Sequence, residues 1–238
     1  MTISKELLKS ITEKNRISLG DEALDRFDRY AEHLLSWNEK LNLTAITDPE
    51  EIVYKHFLDS LMPLKYEEIP EGSSLIDVGT GAGFPGLALK IARPDLRVTL
   101  LDSTKKKLMV LDDISQKLEL DVELLHKRAE EAGQSRIYRE QFDVATARAV
   151  ANLAVLSEYC LPFVKVGGRF LAMKSAKTQE ELAGAKKAIG QLGGRVETVH
   201  TLQLETAGER TILELKKQSP TPAPYPRPSA KIARFPLG

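Results

Sequence analysis

The sequence predicts an α/β fold: a mostly parallel sheet covered on both faces by helices, closed by a C-terminal antiparallel hairpin and preceded by an N-terminal helical cap. Three observations carry this. From residue 74 onward, apolar runs of strand length alternate with helical stretches, the pattern of parallel βαβ units. The first run, Ser74–Val78, leads directly into a turn with glycines at 79, 81, 83 and 86. The last two runs, 195–204 and 210–217, are separated only by Glu205–Glu209 and read as a hairpin.

Residues 1–70 read as helical throughout. Leu24, Phe27, Ala31, Leu34 and Leu35 recur at the three- and four-residue spacing of one buried helix face. Asp48, Pro49 and Glu51 supply an N-cap, a first-turn proline and a capping-box acid, starting a helix from 49 to about 64 that carries His56 and Asp59. His56 and Asp59 share one helix face and are expected to form a structural hydrogen-bond pair, outside any catalytic set. The intervening Trp37–Thr44 holds two asparagines, poor helix formers that hydrogen-bond well in loops.

Strands follow at 74–78, 97–101, 121–126, 142–147 and 169–174, with helices at 85–92, 104–118, 151–160 and 178–192. After Gln218 the composition changes: six of the twelve prolines fall between 220 and 236, with Arg227, Lys231 and Arg234 and no acid. Such a tail is expected to be extended, mobile and basic. The chain thus divides into a helical cap (1–70), an α/β domain (71–218) and a Pro-rich basic tail (219–238).

At 238 residues the chain can bury a full three-layer core and one small appendage. Thirty-four basic side chains balance 34 acidic ones, so any polyanion surface must come from local patches. Lys105–Lys107, Lys127 with Arg128, Lys165, Arg169, Lys174 and the tail are the candidates, each also readable as an ordinary solvated face. The single Cys160, in an apolar context, reads as core; it excludes an internal disulfide, and no Cys/His spacing suits a metal. No apolar run reaches signal-peptide or membrane-spanning length, so a cytoplasmic location without membrane contact is expected.

The glycine turn carries the chemistry. Removing Cβ at 79, 81 and 83 lets the backbone bend sharply and approach a ligand. Gly81–Gly86 also matches the dinucleotide G-x-G-x-x-G, but the glycines start late relative to the strand and Pro85 removes a helix-start N–H that a pyrophosphate would use. No Gly-Lys-Ser/Thr follows, which excludes a Walker A loop. The carboxylate of Asp77 before the turn suits a cationic ligand, and S-adenosylmethionine carries an ammonium and a sulfonium but no phosphate. Asp102, about 20 residues on at the end of the second strand, is placed to accept ribose hydroxyls; its bland reading is a helix N-cap.

These residues resemble the bacterial small-subunit ribosomal RNA methyltransferase G family, also called glucose-inhibited division protein B. The resemblance covers nearly the whole chain and rests on Trp37–Thr44, His56–Ser60, Asp77–Gly86, Arg128–Glu130, Thr146–Val150 and Tyr225–Arg227. It implies a class I S-adenosylmethionine-dependent methyltransferase with a Rossmann-like fold that methylates N7 of guanine 527 in 16S rRNA of the small ribosomal subunit or its precursor, acting as a monomer. It further implies cofactor contacts from Gly79, Phe84, Asp102, Ser103, Thr104, Ala129, Glu130 and Arg148. Ser175 stands where the family usually has glycine.

Guanine N7 has a free in-plane lone pair and no proton, so methyl transfer to it needs no general base and depends on in-line positioning. The Asn/Asp-Pro-Pro-aromatic segment usual in exocyclic-amine methyltransferases is missing after the fourth strand. Arg148, ending that strand, could reach guanine O6/N7 or a phosphate as well as the cofactor; a buried ion pair with a nearby acid is its bland reading. Glu130 reads as an adenine-side contact or as part of a solvated acidic pair with Glu131. Three other readings stand behind this one: a small-molecule or protein methyltransferase, a nicotinamide-dependent dehydrogenase, and a non-catalytic ribosome-binding module.

Overall fold

The apolar runs pair into one seven-stranded sheet. A computed structural model describes residues 1–148, 151–175 and 178–238; Ala149 and Val150, which end the Thr146–Val150 motif, lie outside the described residues. In chain order the strands are β1 (Ser74–Val78), β2 (Arg97–Asp102), β3 (Val122–His126), β4 (Phe142–Arg148), β5 (Val164–Ser175), β6 (Gly194–Leu204) and β7 (Gly208–Lys217). Their spatial order is β3-β2-β1-β4-β5-β7-β6. β1 to β5 run parallel, and β7 enters antiparallel between β5 and β6, as the hairpin reading predicts.

Alternate side chains of β1 feed two cores. Leu75 joins Leu8, Phe27, Phe57, Leu87 and Leu111 on one face, and Ile76 joins Ala132, Leu156, Cys160 and Ile189 on the other. The first face is covered by α1 (Lys5–Lys14), α2 (Asp21–Asn38), α3 (residues 49–61), α4 (Gly86–Ala92) and α5 (Lys105–Lys117), the second by α6 (Ala129–Gln134), α7 (Leu153–Cys160) and α8 (Thr178–Gln191). Burial from both sides explains why the strands read as continuous apolar runs. The N-terminal helices therefore share one core with the sheet. No helix among the described residues is long and apolar enough to cross a membrane.

Several elements differ from expectation. α2 keeps Trp37 and Asn38 as its last residues, and the Asn38 side chain then accepts from Leu43 and Thr44 N–H, closing the predicted loop. Within α3, Ile52–Leu58 winds as a π-helix; the periodicity of so short a stretch cannot separate that from an α-helix. α7 starts at Leu153 because the Asn152 side chain caps Val155 N–H. β5 starts at Val164, five residues early, and its pairing with β4 slips between Phe142 and Val144. Gly167, at φ +89°, occupies this irregular part of β5.

The tail is neither extended nor free. Thr221, Pro226 and Ile232 are buried, and Ser229–Arg234 form a short further helix, α9. Prolines cannot donate to a strand ladder, but their chain still offers carbonyls. Arg139 collects those of Thr221, Pro222 and Tyr225, which fixes the segment against the domain.

The tightest backbone approach is at Gly83. Its φ is +99°, and a Cβ there would collide with the Tyr30 hydroxyl, which itself donates to the Ala82 carbonyl at 2.5 Å. Gly83→Ala should therefore cost about 1–3 kcal/mol from backbone strain alone, with the clash adding to it, and urea unfolding should show a lowered midpoint at unchanged slope.

Candidate functional site

Two clefts flank the carboxyl ends of β1 and β4. This is the point where strand order reverses, with β2 and β3 to one side and β5 and β7 to the other, and open α/β sheets bind ligands there. β1 and β4 pair at Asp77 and Thr146, so Gly79 and Arg148 each follow two residues beyond a matched position.

The first cleft, about 320 Å³, is lined by Gly79, Asp102, Ser103, Thr104, Ala129 and Glu130, together with Lys107, Arg128 and Tyr159. Six of the eight cofactor residues named from sequence are thus brought together. Gly79 and Thr80 donate their N–H groups to the Leu101 carbonyl, at 2.8 and 3.1 Å, tying the glycine turn to β2. Asp102 accepts from Gly81 N at 3.1 Å and Thr104 N at 2.8 Å, so it organises both loops at the cleft; it does not cap the following helix, whose N-cap is Thr104 with no side-chain cap bond. Gly81, at φ +60°, meets nothing nearer than the Gly79 carbonyl where its Cβ would stand, leaving that side of the turn open. Carboxylate acceptors from Asp102 and Glu130 and an open backbone face suit the hydroxyls and base of a nucleoside, so these residues fit the nucleoside of S-adenosylmethionine, while Lys107, Lys127 and Arg128 in the same lining balance the two acids.

Asp77 behaves differently from expectation. Its carboxylate does not reach the cleft: it is fully buried, with Oδ2 accepting from Thr80 Oγ1 at 2.7 Å and Gly86 N at 2.8 Å. Oδ1 has no partner among the described residues. Gly86 N–H is the first helical N–H of α4, the group a pyrophosphate would need, and Asp77 already holds it. The dinucleotide reading loses its anchor.

Phe84 and Arg148, the other two predicted residues, stand apart from the first cleft. Phe84 stacks on His56 with ring centroids 4.4 Å apart and on Tyr30 at 5.2 Å, and the Arg148 guanidinium lies 5.0 Å from its ring centre. Arg148 lines the second cleft, about 300 Å³, with Lys55, His56, Asp59, Lys174 and Arg210. It donates to Asp59 Oδ2 at 3.0 Å, to the Lys55 carbonyl at 3.1 Å and to His56 Nδ1 at 3.3 Å. Arg210 holds the other Asp59 oxygen at 3.2 Å. His56 and Asp59 are therefore not partnered with each other, as their spacing suggested; both converge on Arg148.

Because Arg148 can only donate, His56 Nδ1 is the acceptor and Nε2–H points to Thr44 Oγ1, 2.8 Å away. Burial, and then the neighbouring guanidinium, push this imidazole down to about 3, so it is neutral at physiological pH. Lys55 and Lys174 are paired with Glu51 and Glu181, while Arg148 and Arg210 share the single carboxylate of Asp59, so the second cleft keeps an excess of positive charge at its arginines that suits a phosphate or base acceptors.

The predicted basic patches separate. Lys107, Lys127, Arg128 and Lys174 reach the clefts. Arg169 instead turns inward to Glu67 and Glu214, and Lys165 pairs with Asp143 at the opposite end of the sheet, so neither belongs to this face. Sequence reading missed Tyr159 and Arg210, which lie on a helix and a strand far from any motif, and nothing local marks them.

A family model described as rRNA small subunit methyltransferase G matches residues 23–213. The chain is 50% identical over 221 residues to the ribosomal RNA small subunit methyltransferase G of Geobacillus thermodenitrificans, covering 92% of this chain and 93% of that one. It is 45% identical to the same-named protein of Clostridium novyi, over 98% and 96% of the two chains. Among solved structures, the precorrin-6y C5,15-methyltransferase of Geobacter metallireducens shares the fold at TM-score 0.51 and 16% identity, over 73% of this chain and 90% of that one.

Burial raises the Asp77 carboxyl to about 6 from its ordinary 3.8. The folded state then binds more proton than the unfolded chain between these values, so this group's contribution to stability is complete below about pH 4 and is lost as pH rises through about 6. Asp77→Asn keeps an oxygen for Gly86 and Thr80 but cannot ionise. Its melting temperature relative to the parent should rise steadily between pH 4 and 7, as scanning calorimetry would record.

Proposed function

We propose that this chain, which belongs to the rRNA small subunit methyltransferase G family, transfers a methyl group from S-adenosylmethionine to guanine N7 of 16S rRNA in the small ribosomal subunit. The position implied by the family resemblance is guanine 527. One observation carries the reading: a carboxylate-bearing cleft built on the glycine turn adjoins a cationic cleft built on Arg148.

The bound cofactor supplies an electrophilic sulfonium methyl. Within the first cleft, Asp102 at the end of β2 is assigned to the ribose hydroxyls, with Ser103 and Thr104 beside it. Ala129 and Glu130 form the adenine side, and Gly79 lets the backbone approach. Phe84 supports Arg148 from below by a cation–π contact. Arg148 is then rigid, held by Asp59, the Lys55 carbonyl and His56, and presents a donor to base or phosphate oxygens of the RNA. Holding base and methyl donor in near-attack geometry can supply about 7–11 kcal/mol of the barrier reduction.

Proton transfer is not required, and the second cleft is consistent with that. Both His56 nitrogens are engaged and its basicity is suppressed, while an arginine occupies each Asp59 oxygen. A base with its lone pair free at N7 suits this site better than an exocyclic amine.

Incubating small subunits lacking the modification with methyl-labelled cofactor should place label on one guanine of 16S rRNA, at which borohydride and aniline cleave the chain. Label on protein or a small molecule, or on an exocyclic amine, would overturn the assignment. Arg148→Ala should slow transfer by roughly 100-fold, the order expected when a positioning contact is lost. Arg148→Lys should recover only part, because an ammonium cannot reproduce the fork that binds Asp59, His56 and the Lys55 carbonyl together.

A further inference from the structure

We infer that the C-terminal segment, residues 219–238, is a wall of the cofactor cleft and positions two of its side chains. This rests on the cofactor reading above. It assigns the segment to the cofactor rather than to RNA capture.

Glu158 in α7 is fully buried. Arg227 meets it with three donors: backbone N at 2.9 Å and Nε at 2.8 Å to Oε1, and Nη2 at 2.6 Å to Oε2. A buried carboxylate stripped of its partner is strongly unfavourable, so α7 holds its position only while the tail is docked. The next residue in α7 is Tyr159, which lines the first cleft, and two residues beyond Arg227 the chain contributes Ser229 to the same cleft.

The tail also presses on α6, the helix that begins with Ala129 and Glu130. Pro226 sits against Gly133 so closely that a Cβ there would lie 2.9 Å from its Cγ. Gln134 donates to the Pro226 carbonyl at 3.0 Å, and Arg139 donates to both Gly133 and Tyr225 carbonyls at 3.0 and 2.7 Å. Upstream, the buried Lys217 holds Thr221 Oγ1 at 2.6 Å and the Leu161 carbonyl at 2.7 Å. Ile232 of α9 is buried, closing the far end. The segment thus connects the helix bearing Glu130, the helix bearing Tyr159 and the end of β7. Arg227 is consumed by this role, and of the three basic tail residues only Lys231 and Arg234 are exposed.

Calorimetric titration of S-adenosylhomocysteine into four proteins tests the inference: the full chain, a chain ending at Gln218, Ser229→Trp and Arg227→Gln. The full chain should bind. Truncation and Ser229→Trp should each weaken binding by about tenfold or more, with Arg227→Gln between them and the parent. Ser229 is half-exposed, so its replacement should leave the melting temperature unchanged; it decides the matter if the truncated chain does not fold. Parent-like affinity in a folded truncated chain, or in Ser229→Trp, overturns the inference. A full chain that takes up no S-adenosylhomocysteine overturns the cofactor reading itself.

Discussion

The buried carboxylate of Asp77 is the constraint from which the site's geometry follows. One oxygen holds Thr80 and the first N–H of α4, which folds the glycine turn back over the end of β1. The turn is then close enough to β2 for Gly79 and Thr80 to bond the Leu101 carbonyl and for Gly81 to reach Asp102. Two acids that look alike in sequence thus do opposite work. Asp77 shapes the loop from inside, at the expense of a raised pKa and an orphaned oxygen, while Asp102, though also buried, lines the cleft.

A second constraint joins the N-terminal helices to the sheet. Tyr30 from α2, His56 from the π-helical stretch of α3 and Phe84 from the glycine turn stack on one another, with Arg148 of β4 over Phe84. Four separate elements therefore meet at one guanidinium. The wider turn of a π-helix shifts which side chains share a face, and the one in α3 carries His56 toward Arg148. The helical cap accordingly does more than cover the core: it supplies Lys55, His56 and Asp59, three of the polar residues that line the second cleft.

The balance of charge in that cleft explains why it is ordered and still attractive to an anion. Asp59 fixes Arg148 and Arg210 through separate oxygens, so one negative charge organises two positive ones and a surplus remains. Exposed lysines at 105 and 106 extend the basic face beside the first cleft. The arginine at 169, which reads the same way in sequence, turns inward because Glu67 and Glu214 lie behind it.

By itself the sequence determined the strand and helix order, the glycine turn, the acid at the end of β2 and the family. Each of these is written in local periodicity or in short-range spacing. The spacing of the glycine turn and the second strand marked Gly79 and Asp102; Ser103, Thr104, Ala129 and Glu130 came from the family resemblance, and the structure places all six in one cleft. Only the tertiary structure decided what long-range contacts decide. It turned Asp77 inward, made Arg148 the partner of both His56 and Asp59, recruited Tyr159 and Arg210, and folded a proline-rich tail against α6 and α7. Composition alone marks such a tail as mobile, since prolines form no ladder. Its order comes from residues on other elements: Arg139 donates to its carbonyls, the buried Lys217 to the Thr221 hydroxyl, and the buried Glu158 accepts from Arg227.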